Sequence, residues 1–379
     1  MNFSFRMPVQ VYFEQDAVKK HIEQLTEFGK KAFIVTGCHS AQASGALDDV
    51  TEALENAGIK CKLFNQIENN PSVETIDRAS AIAKDFGAQM IIGIGGGSPL
   101  DSSKAIAVLC AQADGNPQKA TELFATPVKA ALPVVAIPTT AGTGSEATQY
   151  SVLLRHDLGT KVSFGNKFTF PAIAMVDAKY TKVLPVQTTI NTAVDACTHC
   201  LEGFVCNRSQ IFTDSLALSA LKEFGRCIPA LKDFVKENKK LSDEIREKLM
   251  YVSLTGGLVI SHTGVTAVHG MGYCFTYFKQ IPHGKANGFL TPVLLEFTKE
   301  KLGKKLDLAL EALGFADAGS GGILEFKHEL EELLGKSPVL TEEECKKYAT
   351  LSLIQSGSLA NTAVVPGKDE LFNLWKSFA

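Results

Sequence analysis

Apolar residues in the first half of the chain form short runs, separated by stretches in which they recur at helical spacing. The stretch Val73–Phe86 has the helical spacing and predicts a helix. The short runs predict buried β-strands at Lys31–Gly37, Cys61–Phe64, Gln89–Ile94, Pro133–Pro138 and Ala172–Val176. Strands that alternate with helices are typical of a parallel, Rossmann-like sheet with helices on both faces, so we expect an α/β domain here.

The pattern changes after Pro185, where strand-like runs largely disappear. Helical periodicity then covers Thr188–Val205, Ile211–Val235, Ser242–Gly257, Lys304–Leu313, Glu325–Leu334 and Glu342–Leu359. Because Lys182–Pro185 interrupts the pattern, we predict two domains: an α/β domain over residues 1–183 and an all-α domain over residues 184–379.

Composition narrows the class of protein. The 379 residues are 45% hydrophobic and 21% charged, which is a globular composition, and 38 basic against 41 acidic residues argue against a nucleic-acid partner. There is no apolar run long enough to cross a membrane and no apolar segment typical of a signal peptide. Nine scattered cysteines favour a reducing compartment, so a cytoplasmic enzyme is the expectation.

Two polar turns follow predicted strands. The first, the glycine turn (Gly93–Asp101), suits a pyrophosphate, because glycines admit a phosphate to the backbone and a helix N-terminus follows. In it we predict Ser98 as the helix N-cap, Pro99 as the first helical residue and Asp101 as the partner in a capping box. The second, the threonine turn (Pro138–Thr148), is dense in hydroxyls and glycines. A ligand-free turn and an ordinary loop remain the alternatives for these segments.

The histidines offer candidate chemistry in the second half. Asp195 and His199 stand four apart in a helical pattern, so both side chains reach the same helix face. With His269 and His283 they would form a site for a divalent first-row metal, the alternative being histidines satisfied by hydrogen bonds in the core. His262 is a rival ligand, but it lies two helical turns before His269, too far to share an ion on a continuous helix. Cys197 and Cys200 are interpreted as packing residues, with a second metal site as the alternative.

These motifs together resemble the iron-containing (group III) alcohol dehydrogenase family. The resemblance rests on Gly95–Lys104, Pro138–Glu146, Asp195-x-x-x-His199, Val268-His269 and Ile281–Asn287, in this order, and it extends from Val11 to about Pro292. It implies a dinucleotide-binding domain, a helical domain and a cleft between them. It also implies an enzyme that interconverts a primary alcohol and its aldehyde by metal-assisted hydride transfer.

The resemblance carries over to individual residues. The implied metal ligands are Asp195, His199, His269 and His283, with Fe(II) as the ion and Zn(II) as an acceptable substitute. The residues implied to bind the cofactor are Gly96, Gly97, Ser98, Asp101, Thr139, Thr140 and Thr143, with Asn70 and Lys161 lining its cleft. Relatives are often dimers, so a homodimer or higher homo-oligomer is expected.

The first of two departures from the family is Gly37, which stands where many members carry an aspartate that contacts the adenosine ribose. Without that carboxylate a 2′-phosphate is not repelled, and His39 or Ser40 can donate hydrogen bonds to it. We therefore predict that NADP(H) is favoured over NAD(H).

The second departure is Tyr273, four residues after His269, where members commonly carry a histidine with a suggested role in proton relay. Because a phenol has an unperturbed pKa of about 10, it is a poor proton relay near neutral pH. We predict weaker activity or a different pH profile than in a relative with histidine.

Other classes of protein share this architecture. A dehydroquinate synthase-like lyase needs a pocket richer in Lys and Arg than the apolar helices around the candidate ligands provide. A zinc polyol dehydrogenase usually departs from the Asp195-type ligand set. A non-catalytic cofactor-binding scaffold is the third alternative, for which Tyr273 is the only hint.

Overall fold

The computed structural model describes residues 3–317 and 319–379. By its internal contacts the chain divides into two compact units. The α/β unit is Arg6–Leu184, and the helical unit is Pro185–Ala379 together with residues 3–5. The division thus falls within the Lys182–Pro185 segment at which the hydrophobic pattern changes.

The α/β unit is built on a parallel sheet. Its strands are β1 (Gln10–Phe13), β2 (Lys31–Gly37), β3 (Lys60–Ile67), β4 (Met90–Gly95), β5 (Val134–Pro138), β6 (Ser151–Arg155), β7 (Thr160–Phe164) and β8 (Ile173–Val176). Six of them form the sheet, in the order β1-β8-β5-β4-β2-β3, and every neighbouring pair is parallel. Each predicted strand of this half is present, with ends that differ by a few residues.

Helices connect these strands and cover the sheet. They are α1 (Ala17–His21), α2 (Ser40–Ala43), α3 (Ala46–Asn56), α4 (Val73–Phe86) and α5 (Gly97–Cys110), with 3-10 turns at Ile22–Phe28, Ala120–Phe124, Ser145–Ala147 and Ala178–Thr181. Local signals set their ends: the Ser72 hydroxyl accepts from Thr75 N–H at the start of α4, and Gly87 ends it in the left-handed conformation.

Both faces of the sheet are buried. Along β2, Ala32 and Ile34 belong to one apolar cluster, whereas Phe33 and Val35 belong to a second. Successive residues of a strand point to opposite faces, so the two clusters lie on the two sides of the sheet. The predicted α/β class is confirmed.

Two strands of this unit, like the helices α1, α2 and α3, were not predicted. Strands β6 and β7 form an antiparallel pair, with Ser151 opposite Phe164 and Arg155 opposite Thr160. The pair lies outside the main sheet and directly follows the threonine turn.

The helical unit contains no strand among its described residues. Its helices are α6 (Val186–Val205), α7 (Ile211–Glu237), α8 (Asp243–Thr263), α9 (Ala267–Phe278), α10 (His283–Leu302), α11 (Lys304–Leu313), α12 (Gly319–Leu334), α13 (Glu342–Ser352), α14 (Ser356–Ala360) and α15 (Lys368–Lys376). In residues 3–317 and 319–379 no helix is both long and apolar enough to cross a membrane.

The single helix predicted over Glu342–Leu359 is wrong. Helix α13 ends at Ser352, and α14 begins at Ser356. Between them Ile354 and Gln355 donate to the carbonyls three residues back, a tighter pattern that stops the α-helical hydrogen bonds. Apolar spacing alone does not reveal such a break, because both helices present apolar residues to the same core.

Candidate functional site

The helical unit brings together all four predicted metal ligands. Asp195 and His199 lie one turn apart on α6, His269 lies in the first turn of α9, and His283 is the first residue of α10. Among the described residues, ligand atoms of Asp195, His199 and His269 all lie within 4.8 Å of one another. The Nε2 atoms of His199 and His269 are 2.9 Å apart, and His269 Nε2 is 3.9 Å from Asp195 Oδ1.

Asn287 connects His283 to Asp195 and His269. Its Nδ2 atom lies 3.0 Å from Asp195 Oδ1, 3.1 Å from His269 Nε2 and 3.2 Å from His283 Nε2. An amide nitrogen has two hydrogens, so it cannot donate to three acceptors at once. A donor at the focus of a carboxylate and two imidazoles marks a point where positive charge is stabilised. We call Asp195, His199, His269 and His283 the candidate metal centre.

Close helix packing makes this convergence possible. A Cβ atom added to Gly284 on α10 would lie 1.9 Å from the carbonyl oxygen of Asn191 and 2.8 Å from Asp195 Cβ. Only a residue without a side chain allows the first turn of α10 to approach α6 this closely. The adjacent His283 is thereby brought to the Asp195 side of α6.

The electrostatics of the centre favour an ionised carboxylate. Burial acts to raise the pKa of Asp195, but the neighbouring His199, His283 and His269, together with the hydrogen bond from Asn287, lower it below its ordinary value. A buried carboxylate with imidazole nitrogens is a donor set that suits Fe(II), Zn(II) and similar ions. The residues present therefore fit the predicted metal.

Sequence reasoning missed Glu202, which lies one turn beyond His199 on α6. Its Oε2 atom is hydrogen-bonded to His269 Nδ1, and its Oε1 accepts from the backbone N–H of Thr266 at 2.9 Å and from the Thr266 hydroxyl. All three residues are buried. The available signal was the spacing Asp195-x-x-x-His199-x-x-Glu202, which places three ionisable side chains on one stripe of the helix.

His262 is not part of the centre. Its ring stacks on Phe5, with centroids 4.3 Å apart, and its Nδ1 lies 2.8 Å from the carbonyl oxygen of Leu258. Helix α8 ends at Thr263 and α9 begins at Ala267, so His262 and His269 are on different helices.

Cys197 and Cys200 are buried in packing positions on α6. Burial raises the pKa of the Cys200 thiol to about 12 and that of Cys197 well above its usual value. The Cys200 thiol donates to the carbonyl oxygen of Val252 on α8. Protonated, buried thiols of this kind are poor metal ligands.

Tyr273 lies beside the centre. Its ring stacks on that of His283, with centroids 5.6 Å apart and an interplanar angle of 20°. The predicted departure from the family pattern is therefore in contact with a predicted ligand.

In the α/β unit, the glycine turn lies at the carboxyl end of β4. In the sheet, β2 lies between β3 and β4. The chain continues from β2 to β3 on one side, and from β4 to β5 on the other side, so the connections leave β2 and β4 in opposite directions. Ligands of open parallel sheets bind at the carboxyl ends of strands beside such a switch point. Gly37 ends β2 and Gly95 ends β4, so both predicted positions flank it.

The glycine turn packs against the threonine turn. The N–H of Thr139 donates to the carbonyl of Gly95 at 3.0 Å. A Cβ atom on Gly96 would lie 3.1 Å from Thr140 Oγ1, and one on Gly97 would lie 2.8 Å from Thr143 Cγ2. The glycines are thus required for contact between the two turns, whether or not a phosphate approaches.

The predicted helix start in this turn is wrong. Helix α5 begins at Gly97 with Gly96 as N-cap, two residues earlier than predicted, and there is no side-chain cap at this end. Ser98 instead accepts a hydrogen bond at 3.2 Å from the backbone N–H of Asn70, a residue in the left-handed conformation. Because glycine is compatible with the helical conformation, the helix extends back through Gly97 to the strand. Asn70 and Ser98, both predicted to bind the cofactor, are in contact.

Asp101 is held in a hydrogen-bond network. Its carboxylate accepts from the Ser145 hydroxyl at 2.5 Å and from the backbone N–H of Val152 at 2.9 Å. Burial raises the pKa of Asp101, against the opposing effects of Lys104 and Ser145. The network connects α5 to the threonine turn and to β6, a role that the capping prediction for Asp101 missed.

Lys104 completes this network, and the charge of the buried Glu146 carboxyl acts on it. Lys104 is 0% exposed and donates to Ser145 Oγ at 2.7 Å and to the carbonyl of Tyr150 at 2.7 Å. Burial lowers its pKa to about 8 and raises that of Glu146 to about 7. Lys161, on β7, is also buried, and its charge acts to lower the pKa of Asp101.

Two family models together match nearly the whole chain. Residues 8–178 match the model described as iron-containing alcohol dehydrogenase, and residues 189–373 match the C-terminal model of the Fe-containing alcohol dehydrogenase family. A sulfoacetaldehyde reductase from Bilophila wadsworthia is 35% identical over 269 residues, which are 71% of this chain and 67% of that protein. An NADPH-dependent butanol dehydrogenase from Clostridium saccharobutylicum is 29% identical over 314 residues, 80% of this chain and 78% of that protein.

Solved structures agree with these sequence matches. The crystal structure of an iron-containing alcohol dehydrogenase from Thermotoga maritima superimposes with a TM-score of 0.88 at 32% identity, covering 99% of each chain. The order of motifs, the fold of both units and these similarities lead to one assignment: the chain belongs to the iron-containing alcohol dehydrogenase family.

Proposed function

We propose that Asp195, His199, His269 and His283 hold a divalent iron ion and that the α/β unit binds the nicotinamide cofactor. As a member of its family, the chain is an NAD(P)-dependent alcohol dehydrogenase that interconverts alcohols and aldehydes. The observation that carries the metal proposal is the convergence of Asp195, His269 and His283 on the Asn287 amide, with His199 Nε2 2.9 Å from His269 Nε2.

The four side chains supply the charge and the geometry of the metal site. A metal ion held there would act as a Lewis acid toward the oxygen of an alcohol or aldehyde. Asp195 contributes the negative charge, which balances part of the charge of a divalent cation within a buried site. Zn(II) fits the same donor set, and we propose Fe(II) because of the family.

We propose that the cofactor pyrophosphate lies against the N-terminus of α5, near Gly96, Gly97 and Ser98. A nicotinamide cofactor held there would supply the hydride chemistry. The first turn of α5 supplies backbone N–H groups and the positive end of the helix dipole, without an acidic residue to oppose an anion. The remaining proposed contacts are Asn70, Asp101, Thr139, Thr140, Thr143 and Lys161.

We propose that Gly37 makes NADP(H) the favoured cofactor. A Cβ atom at this position would lie 3.4 Å from the carbonyl oxygen of Ile67 and 3.9 Å from the Ser40 hydroxyl, both ordinary contact distances, so packing does not exclude a larger residue. The missing carboxylate is therefore a chemical difference rather than a steric requirement. The relative described as an NADPH-dependent butanol dehydrogenase is in line with this preference.

We propose that Tyr273 contacts the substrate from its place against His283. The expected weaker activity or altered pH profile relative to a histidine-bearing relative stays a prediction. It is tested by Tyr273→His, and an unchanged pH–rate profile in this variant would argue against a relay role at this position.

The substrate, the assembly and the compartment are proposed at a coarser level. Small alcohols and aldehydes are the proposed substrates, and a homodimer or higher homo-oligomer is the proposed assembly, to be tested by light scattering. All nine cysteines are free thiols, which supports the proposal of a reducing, cytoplasmic compartment. The family assignment does not favour the lyase, polyol dehydrogenase or scaffold alternatives.

The test is anaerobic reconstitution of the purified protein with Fe(II) or Zn(II). Oxidation of NADPH and of NADH is then followed with a panel of short and medium aldehydes. Metal-dependent turnover that prefers NADPH is the expected result. Turnover without added metal in a chelator-treated sample, or a preference for NADH, would contradict the metal proposal or the cofactor proposal respectively.

A further inference from the structure

We infer that Glu202 is a positioning residue that fixes the imidazole of His269 with its Nε2 directed into the metal centre. This inference rests on the proposed metal site. Glu202 is 2% exposed, and it lies on α6, the helix that also carries Asp195 and His199. Its carboxylate contacts His269 and Thr266.

Hydrogen bonding determines which nitrogen of His269 bears the proton. An ionised carboxylate only accepts, so the Nδ1 atom that faces Glu202 Oε2 must donate. In a neutral imidazole the other nitrogen then has a lone pair. That nitrogen, Nε2, is the one near His199 and Asp195, so Glu202 prepares His269 to ligate through Nε2.

The local backbone stabilises this carboxylate in a buried position. Thr266 is the N-cap of α9, and both its backbone N–H and its hydroxyl donate to Glu202 Oε1. The negative charge therefore lies at the N-terminus of α9, where the helix dipole favours an anion. Three donors and a helix N-terminus hold Glu202 in one orientation, and this in turn fixes the plane of the His269 ring.

The competing explanation is that Glu202 only caps α9. The same helix end offers a matched control, because the Thr362 hydroxyl accepts from the backbone N–H of Ala267 at 2.9 Å. Thr362 is buried and caps α9 without contacting a proposed ligand. A capping role and a positioning role therefore give different results in variants of Glu202 and Thr362.

The decisive variant is Glu202→Gln. A glutamine has one acceptor and one donor end, whereas the carboxylate faces a fixed backbone N–H on one side and His269 on the other. With its amide nitrogen toward His269, it favours the tautomer in which Nε2 carries the proton and cannot ligate. With its amide nitrogen toward Thr266, the glutamine places that N–H donor against the backbone N–H donor of Thr266, which is unfavourable.

The measurement is Zn(II) affinity of the full chain by chelator competition at a single pH, with the melting temperature of the metal-free protein measured alongside. We expect Glu202→Gln to bind Zn(II) about 10- to 100-fold more weakly, as found for outer partners of metal ligands. Thr362→Val is expected to lower the melting temperature of the metal-free protein while binding Zn(II) within about twofold of wild type. Equal weakening in both variants, or no weakening in Glu202→Gln, would overturn the inference.

His269→Ala separates this inference from the proposed metal site. If wild type does not bind Zn(II), or if His269→Ala binds it as well as wild type does, the proposed site itself is wrong. If wild-type binding depends on His269 but Glu202→Gln leaves the affinity unchanged, only the positioning role fails.

A second measurement needs no folded variant of Glu202. Long-range ¹H–¹⁵N correlation of ¹⁵N-histidine in the metal-free wild type reads the tautomer of His269, assigned by the signal that disappears in His269→Ala. We expect the proton on Nδ1. A proton on Nε2 with Nδ1 bare would contradict the inference.

Discussion

The candidate metal centre and the glycine turn reach a similar end, a polar site inside a folded unit, by opposite means. The metal centre uses side chains from α6, α9 and α10 that converge on Asn287. The glycine turn removes side chains, so that Gly96 and Gly97 touch Thr140 and Thr143. The comparison teaches that the first site depends on the identity of functional groups and the second on free space, and substitutions should affect them differently.

The largest expected effect is on the metal centre. His269→Ala removes one of four converging ligands and the partner of Glu202, so Zn(II) affinity is expected to fall at least about 100-fold. Aldehyde reduction is expected to fall to background. Chelator competition and steady-state rates are the measurements.

The same variant tests whether the two sites are independent. NADPH binding, followed by its fluorescence, should stay within about twofold of wild type, because the glycine turn lies in the other unit. A parallel loss of NADPH binding would show that the two sites are not independent.

The glycine turn should be sensitive to a single methyl group. In Gly97→Ala the added Cβ would lie 2.8 Å from Thr143 Cγ2, so the two turns are forced apart. Overpacking of this kind costs about 1–3 kcal/mol, so we expect NADPH to bind about 10-fold more weakly. Titration of NADPH fluorescence measures the loss.

A second substitution sharpens this test. Thr143→Ser removes the methyl group that the new Cβ meets and keeps the hydroxyl. The double variant Gly97→Ala/Thr143→Ser is expected to recover most of the lost affinity. If it binds NADPH no better than Gly97→Ala alone, contact with Thr143 is not the cause.

Gly37→Asp tests charge at a position where space is available. A carboxylate there would repel a 2′-phosphate, and we expect the KM for NADPH to rise about 10-fold while the KM for NADH stays unchanged or falls. Gly37→Asn adds nearly the same volume without the charge and is the control. Equal effects of the two substitutions would assign the preference to size rather than charge.

The smallest expected effect on activity is at Glu146, where the consequence is a change in stability. Burial raises the pKa of Glu146 to about 7 from an ordinary value of 4.5. Between those pH values the folded protein holds this proton and the unfolded chain does not, so the free energy of unfolding falls as the pH rises.

Glu146→Gln should remove this dependence on pH. As the pH rises from 4.5 to 8, the free energy of unfolding of the variant is expected to increase by about 1–3 kcal/mol relative to that of wild type. Urea unfolding at several pH values measures the difference, with Glu55→Gln, an exposed position on α3, as control. An identical slope in wild type and Glu146→Gln would show that Glu146 titrates normally.

The sequence predicted much of the fold because the signals were local. Helix α4 was predicted with its observed ends, and Ser72 and Gly87 at those ends are themselves local signals. Predictions failed where longer-range contacts decide. At the start of α5, Ser98 accepts from the backbone N–H of Asn70 instead of capping the helix, and Asp101 accepts from Ser145 and Val152.

The candidate metal centre shows the same difference between local signals, which the sequence reveals, and long-range contacts, which it does not. The spacing of Asp195 and His199 is readable because both lie on one helix, where four residues make about one turn. Glu202 lies on that helix too, but its partners Thr266 and His269 lie more than 60 positions along the chain. No periodicity connects residues so far apart, so the role of Glu202 is visible only once α6 and α9 are packed together.

By itself, the sequence predicted the class of each unit, the helix face shared by Asp195 and His199 and, through the order of its motifs, the resemblance that implies His269 and His283 as further ligands. The class of each unit and the shared helix face follow from periodicity, which acts over one or two turns of chain. Only the tertiary structure decided that Asn287 and Glu202 hold those ligands and that Asp101 and Lys104 tie α5 to the threonine turn. Burial decides these hydrogen-bond partners, because a polar group removed from water must bond to a polar group that the fold brings next to it.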